Sequence, residues 1–140
     1  MDVPRVTVAF ALAALLAACD SPRTPLDARD LKSAAQQLQS IAGEGDWLAQ
    51  QLQDGAVTRN MAWVHQQALG EDAAKALREL AKPVPPRLRE EHRQVLALAA
   101  QLQAQLGRIA SVARQPAELQ AVRQELESVA RAARPLAAPS

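Results

Sequence analysis

The sequence predicts an all-α protein, an antiparallel four-helix bundle whose chain runs up, down, up and down. Ala, Leu, Gln, Glu and Arg, which favour helices, dominate the composition. Apolar residues recur every three or four positions, and no stretch alternates apolar and polar residues as a strand would. Short turn-forming stretches divide the chain into segments of helical length, which is typical of a bundle. The alternative arrangement is two long helical hairpins that pair with another chain.

An uncharged apolar run, residues 6–18, follows a short start that carries Arg5. As a helix it would be about 20 Å long, which is shorter than the ~30 Å apolar core of a bilayer. A charged start, an apolar run of this length and small residues at its end are typical of a secretory signal. We therefore expect residues 1–18 to form a signal helix that is removed on export.

Cys19, the only cysteine of the chain, follows this run directly. The stretch Leu16-Ala17-Ala18-Cys19 resembles the lipobox of bacterial lipoproteins. The resemblance implies that Cys19 carries a diacylglyceryl group and further acyl chains such as palmitate, and that it becomes the mature N-terminus in the membrane. Several acyl chains anchor a protein stably. Asp20 is similar to an inner-membrane retention signal, the outer membrane being the alternative. Plain secretion and an ordinary buried thiol are the other interpretations of Cys19.

The first bundle helix is predicted at 25–53, after a short tether at 19–24. Thr24 is the expected N-cap and Pro25 the first helical residue. Apolar or small residues then recur at alternating intervals of three and four, at Leu31, Ala34, Leu38, Ile41, Gly45, Leu48 and Leu52. The stretch DGAVT, residues 54–58, predicts the turn that ends this helix.

The second helix is predicted at 57–82. Its expected core residues are Met61, Val64, Ala68, Ala73, Leu77 and Leu80. The spacing slips at Gly70, so we expect the helix either to kink there or to break in two with Asp72 as a cap. The stretch KPVPP, residues 82–86, predicts a firm end.

The third and fourth helices are predicted at 86–114 and 116–134, separated by a tight corner, and a tail at 135–140 follows. Pro116 is expected at a helix start, and Pro135 is expected to end the bundle. The expected core residues of these two helices are Leu88, Val95, Leu102, Leu106, Ile109, Leu119, Val122, Leu126, Val129 and Ala133.

Two histidines raise the question of a metal or haem site. Met61 and His65 are four residues apart on one helix, and a bundle with inward Met and His is similar in size and layout to four-helix haem-binding cytochromes. The first turn centres near residue 55, which places His65 opposite Gly45, and the second turn places His92 level with Ala76. The two histidines would then lie about 17 Å apart along the bundle. We therefore expect no metal and no cofactor, with a ligand-, metal- or haem-binding bundle as the alternative function.

Enzyme motifs are absent from the sequence. A di-iron bundle needs Glu three residues before an inward His, where this chain has Ala62 and Arg89. There is no zinc-protease, serine-hydrolase or phosphate-loop motif. The net charge of +1 is low for nucleic-acid binding. We expect a protein that is not an enzyme.

The two tryptophans, Trp47 and Trp63, are expected to lie level with each other across the first hairpin. They have two interpretations. A buried pair would clamp the first two helices together, and an exposed pair would anchor a protein partner.

The predicted fourth helix is much shorter than the predicted third, which would leave three helices alone near the membrane. An apolar groove could then receive a partner helix, an acyl chain or the folded-back tail. Its expected lining, together with His92 as a candidate partner-binding residue, is Leu31, Leu77, Leu80, Leu88 and Val95. We expect a lipid-anchored, periplasm-facing protein that binds another cell-envelope protein as an accessory or assembly subunit. In broad design this is similar to small helical lipoproteins that chaperone secretion-system components.

Overall fold

The computed structural model describes residues 24–139, so the predicted signal segment and Cys19 lie outside the described residues. The helices are α1 (Ala28–Gln53), α2 (Arg59–Leu80), α3 (Arg89–Leu106) and α4 (Pro116–Ala137), with a 3₁₀ turn at Pro86–Leu88. No strand occurs between residues 24 and 139, so the predicted all-α class is confirmed. None of these helices combines the length and the apolar content that a membrane span needs.

The helices form the predicted antiparallel bundle. Consecutive helices pack on each other, α4 packs along α1, and α1 also touches α3. The Leu26 N–H donates to Pro83 O at 2.8 Å, which joins the start of α1 to the end of α2. We call the end of the bundle that holds the start of α1 and the end of α2 the N-terminal end. α4 ends beside it, at Ala137. The opposite, distal end holds the turn at 54–58 and the segment 107–115.

The core is aliphatic, and α1 lies close to side chains of α3 and α4 at Gly45. A Cβ at this position would lie 2.8 Å from Leu106 Cδ2 and 3.3 Å from Leu126 Cδ1. The expectation that Gly45 lies opposite His65 across the first hairpin is therefore wrong, because Gly45 faces α3 and α4 in the core. The largest fully buried side chains are Leu31, Leu38, Leu48, Leu80, Leu102, Leu106, Ile109, Leu119, Leu126, Val95, Val122 and Val129.

α1 begins a few residues later than predicted, because Asp27 is its N-cap and not Thr24. Asp27 Oδ1 accepts hydrogen bonds from the N–H groups of Arg29 at 2.8 Å and Asp30 at 2.9 Å. Asp30 Oδ2 accepts in return from the Asp27 N–H at 2.8 Å. The bond from the Asp30 N–H is the main cause that lowers the pKa of the Asp27 carboxyl. Leu26, just before the cap, is buried in the core and fixes the entry of the chain.

α2 is one unbroken helix through Gly70, so the expected kink or break at this residue is wrong. The slip in spacing has another cause. The buried row of α2 is Ala62, Gln66, Leu69, Ala73, Ala76 and Leu80. Met61 and Val64, which were expected in the core, are exposed. The first half of α2 thus has a large apolar face that points away from the core.

α3 ends at Leu106, eight residues before the predicted 114. Residues 107–114 form a series of turns, in which the N–H groups of Arg108 and Ile109 donate to carbonyls three residues earlier. Ile109, Ala110 and Val112 are nevertheless buried. The segment therefore covers the distal end of the core without continuing the helix.

α4 continues through Pro135 to Ala137, although the sequence predicted an end at 134. A proline inside a helix loses one backbone hydrogen bond. Leu136 packs against the core and Ala137 is buried, which offsets this loss. The Gln36 Nε2 also donates to Ala137 O at 3.3 Å and satisfies a carbonyl in the last turn.

Candidate partner-binding surface

The apolar groove predicted at the N-terminal end is closed. Leu31, Leu80 and Val95 are 0–1% exposed, Leu88 is buried and Leu77 is half-buried. The prediction fails because α4 is longer than α3 and its last turn covers the end that was expected to stay open. These five residues therefore belong to the core and its margin, and they offer no open groove to a partner.

His92, the sixth residue of that set, connects two helices. It is half-buried, and its Nε2 lies 2.6 Å from the carbonyl oxygen of Leu80, in the last turn of α2. A carbonyl oxygen only accepts, so this contact requires the proton on Nε2. The bond satisfies a helix C-terminal carbonyl and holds α3 against α2. His92 is therefore placed in a structural contact rather than on a free surface.

The two tryptophans do not meet across the first hairpin. Trp47 packs beside His65, with ring centroids 6.2 Å apart and planes tilted by 58°. Trp63 is two residues before His65, and two helical residues point about 200° apart. Trp63 therefore lies on the other flank of α2, and the expectation of a Trp47–Trp63 clamp is wrong.

Four large apolar side chains are exposed within residues 24–139, and all lie in the distal half of the first hairpin. Trp47, Met61, Trp63 and Val64 expose between 51% and 63% of their surface. We call these four residues the distal apolar surface. Met61, Trp63 and Val64 belong to the first two turns of α2 and curve around its exposed side, with Met61 on one flank and Trp63 on the other. Trp47 stands on α1 beside His65, on the flank away from Trp63. The set includes both tryptophans of the chain.

A buried polar contact anchors the part of α2 that carries this surface. Gln66 is 6% exposed, and its Oε1 accepts from the Ala110 N–H at 2.7 Å. Its Nε2 donates to Gly107 O at 3.5 Å, and Arg59 Nε donates to Ala110 O at 3.2 Å. Side chains of α2 are thus hydrogen-bonded to the backbone of the turn segment 107–114, which follows the end of α3. Sequence reasoning missed Gln66, although a polar residue in the row of Ala62, Leu69 and Ala73 was a usable signal.

A second polar contact holds the α1 side of the surface. Arg123 Nε of α4 lies 2.8 Å from Asp46 Oδ1, and both side chains are about one-fifth exposed, at 19% and 22%. Arg123 Nη1 also donates to Gln53 Oε1 at 3.2 Å. Asp46 is the residue before Trp47, so the helix turn that carries Trp47 is bound to α4. The distal apolar surface therefore rests on backbone that is fixed from two sides.

The charge around the distal apolar surface is nearly balanced. Glu44, Asp46 and Asp54 lie between Lys32 and Arg59, an interval without basic residues. Asp46 is paired with Arg123, and Arg59 keeps its positive charge while it donates to Ala110 O.

The residues considered for a metal or haem site are dispersed. Met61 is exposed, His65 lies beside Trp47 with its ring tilted, and His92 is hydrogen-bonded near the opposite end of the bundle. In the part of the chain that the structure describes, no group of three or more His, Cys, Asp or Glu residues is arranged to hold a metal ion. The described residues thus bring no ligand set together.

Comparison with known proteins finds no matching family model, no matching curated protein and no matching solved structure. The functional argument therefore rests on the residues of this chain.

Proposed function

We propose that the protein is a lipid-anchored subunit of the bacterial cell envelope that has no catalytic activity and binds another envelope protein. Its role would be that of an accessory or assembly subunit on the periplasmic side of the membrane. The observation that carries the proposal is the distal apolar surface, because the rest of the large apolar side chains in residues 24–139 are buried or half-buried.

The composition of the distal apolar surface supports protein binding. Tryptophan is enriched among the residues that contribute most to interface affinity, and methionine is enriched at interfaces in general. Exposed apolar area is unfavourable in water by about 25 cal/mol per Å², so folding alone does not account for three such side chains in two turns of α2. Burial against a partner would recover this free energy.

The position of the surface also fits an anchored protein. Trp47 lies about 28 Å along α1 from its first residue, at about 1.5 Å per residue. A lipid on Cys19 would hold the N-terminal end near the membrane and leave the distal apolar surface well above the headgroups. A partner in the same envelope could then reach it.

The anchor is tested by the intact mass of the native protein after detergent extraction from membranes. We expect the mass of residues 19–140 plus a diacylglyceryl group and a further acyl chain. The Cys19→Ser variant should accumulate as an unprocessed or soluble chain. An unmodified mass, or normal membrane retention of Cys19→Ser at the mature size, would overturn the lipoprotein proposal.

The partner surface is tested with a photo-reactive amino acid placed at Val64, which is 63% exposed. The matched control carries it at Gln120, an exposed residue of α4. In native membranes we expect a discrete crosslinked protein from position 64, absent from position 120 and lost when Trp47→Ala is added. Identical crosslinks from both positions, or none from position 64, would contradict the proposal.

A further inference from the structure

The two ends of the bundle carry opposite charge. The N-terminal end, residues 24–33, 77–95 and 134–139, has eight basic and five acidic side chains. The remainder of residues 24–139 has six basic and eight acidic side chains. The molecule is therefore electrically polar along its axis, with the positive end where the chain enters the bundle.

Most of the acidic side chains at the N-terminal end are already engaged. Asp27 and Asp30 accept backbone N–H groups in the capping box, at a helix N-terminus whose partial positive charge favours them. Glu90 accepts from Arg93 Nη2 at 2.6 Å and from Gln94 Nε2 at 3.0 Å. Glu79 and Glu91 remain, against a larger number of basic groups.

Six basic side chains at this end are exposed and make no ion pair within residues 24–139, namely Arg29, Arg78, Lys82, Arg87, Arg89 and Arg134. Among these, Lys82, Arg87 and Arg89 form one group in the chain. They lie in or next to the connection between α2 and α3, which contains Pro83. Pro83 O accepts from the Leu26 N–H at 2.8 Å, so these side chains lie on the same end as the entering chain.

We propose that the N-terminal end docks on an anionic phospholipid surface through Lys82, Arg87 and Arg89, with the bundle upright on the membrane. The inference rests on the proposed lipid anchor, because residues 19 to 24 span at most about 18 Å and would keep this end beside the headgroups. Basic side chains at such short range attract anionic lipid, and the attraction fades within about 8 Å at physiological salt. The acidic remainder of the bundle is repelled, so the distal apolar surface points away from the membrane.

The test uses the native lipidated protein reconstituted into vesicles, one set of phosphatidylcholine alone and one with added phosphatidylglycerol. A water-soluble amine reagent labels Lys82, and mass spectrometry measures the extent. We expect labelling of Lys82 to fall several-fold with phosphatidylglycerol and to recover in 1 M salt, where the screening length is about 3 Å. Fluorescence of Trp47 and Trp63 should stay equally open to acrylamide quenching in both vesicles.

Charge reversal separates specific docking from general attraction. Arg87→Glu with Arg89→Glu should restore labelling of Lys82 on phosphatidylglycerol vesicles. The matched control, Arg114→Glu with Gln115→Glu and Gln120→Glu, makes the same change in net charge at exposed residues near the distal end and should leave the protection intact. Equal protection loss in both variants would overturn the proposal.

Two further results would overturn it in distinguishable ways. A lipidated protein whose Lys82 is labelled equally in both vesicles has the anchor but does not dock. A protein that carries no lipid and does not stay with vesicles would show that the proposed anchor itself is wrong. Protection of both Lys82 and the tryptophans would mean that the bundle lies flat, which also contradicts upright docking.

Discussion

The C-terminal half of α2 buries Ala73, Ala76 and Leu80, whereas the N-terminal half buries Ala62, the polar Gln66 and Leu69 and exposes its three other large apolar residues. Both halves belong to one continuous helix, which packs on α1 and α3. The C-terminal half uses its largest apolar side chain, Leu80, for the core. The N-terminal half buries Leu69 and is also held by hydrogen bonds from Gln66 and Arg59 to the turn segment 107–114.

This difference shows that apolar content alone does not identify the buried face of a helix. A small buried residue lets α2 lie close to its neighbours, and a buried amide supplies partners for a segment without regular structure. Met61 and Val64 are then not needed to pack the core. Substitutions of buried residues in the C-terminal half should therefore reduce stability, whereas substitutions of exposed apolar residues in the N-terminal half should reduce binding.

The largest effect is expected in the C-terminal half. Leu80→Ala removes a side chain that is 1% exposed and leaves a cavity beside α1 and α3, so the free energy of unfolding should fall by about 3 kcal/mol. Urea unfolding followed by circular dichroism measures it. Leu77→Ala, a half-buried neighbour, is the matched control and should cost clearly less. Equal losses would mean that the two positions are buried alike in solution.

The next effect concerns the polar anchor of the N-terminal half. Gln66→Leu leaves the Ala110 N–H and the Gly107 carbonyl without their side-chain partner, so we expect a loss of about 2 kcal/mol. Gln67→Leu, at the exposed neighbouring residue, should be close to neutral. Hydrogen exchange gives a second readout, since the Ala110 amide should lose protection in Gln66→Leu alone. A Gln66→Leu variant as stable as the parent would show that the hydrogen bonds of Gln66 do not stabilise the N-terminal half of α2.

A substitution at Gly70, the junction between the two halves, should raise the free energy of unfolding. A Cβ at Gly70 meets nothing within 4 Å, and α2 is helical on both sides. Gly70→Ala should therefore stabilise the protein by about 0.5–1 kcal/mol through helix propensity alone. Thermal and urea unfolding measure the change. A neutral or destabilising result would indicate that α2 does kink at Gly70, as the apolar spacing first suggested.

The fold class and the antiparallel order could be predicted because both depend on short-range patterns. Helical spacing, a glycine turn at Gly55 with φ of 69° and the proline stretch at 82–86 are local signals. The end of α3 could not be predicted in this way, because Gln66 bonds the backbone of Ala110 from 44 residues away in sequence. The end of α4 depends equally on tertiary packing, which outweighs the local effect of Pro135.

The candidate site was predicted only in part. Trp47 and Trp63 were named as possible partner anchors, and both are exposed. Met61 and Val64 were missed because their spacing on α2 is that of a core row, and spacing alone does not tell which of two rows faces inward. The lipid anchor at Cys19 stays a prediction from the lipobox resemblance.

The smallest effect on stability, and the sharpest contrast, is expected at the distal apolar surface. Met61→Gln with Val64→Gln replaces two exposed side chains by polar ones that are at least as good in a helix, so stability should change by less than about 0.5 kcal/mol. If these side chains serve a partner, the same variant should lose the membrane crosslink, with the photo-reactive group moved to Asn60 so that both substitutions can be present. Asn60 is exposed and lies one turn before Val64 on the same face of α2. A stable variant that keeps the crosslink would show that the two apolar side chains do not bind the partner. A strongly destabilised variant would show that they contribute to folding.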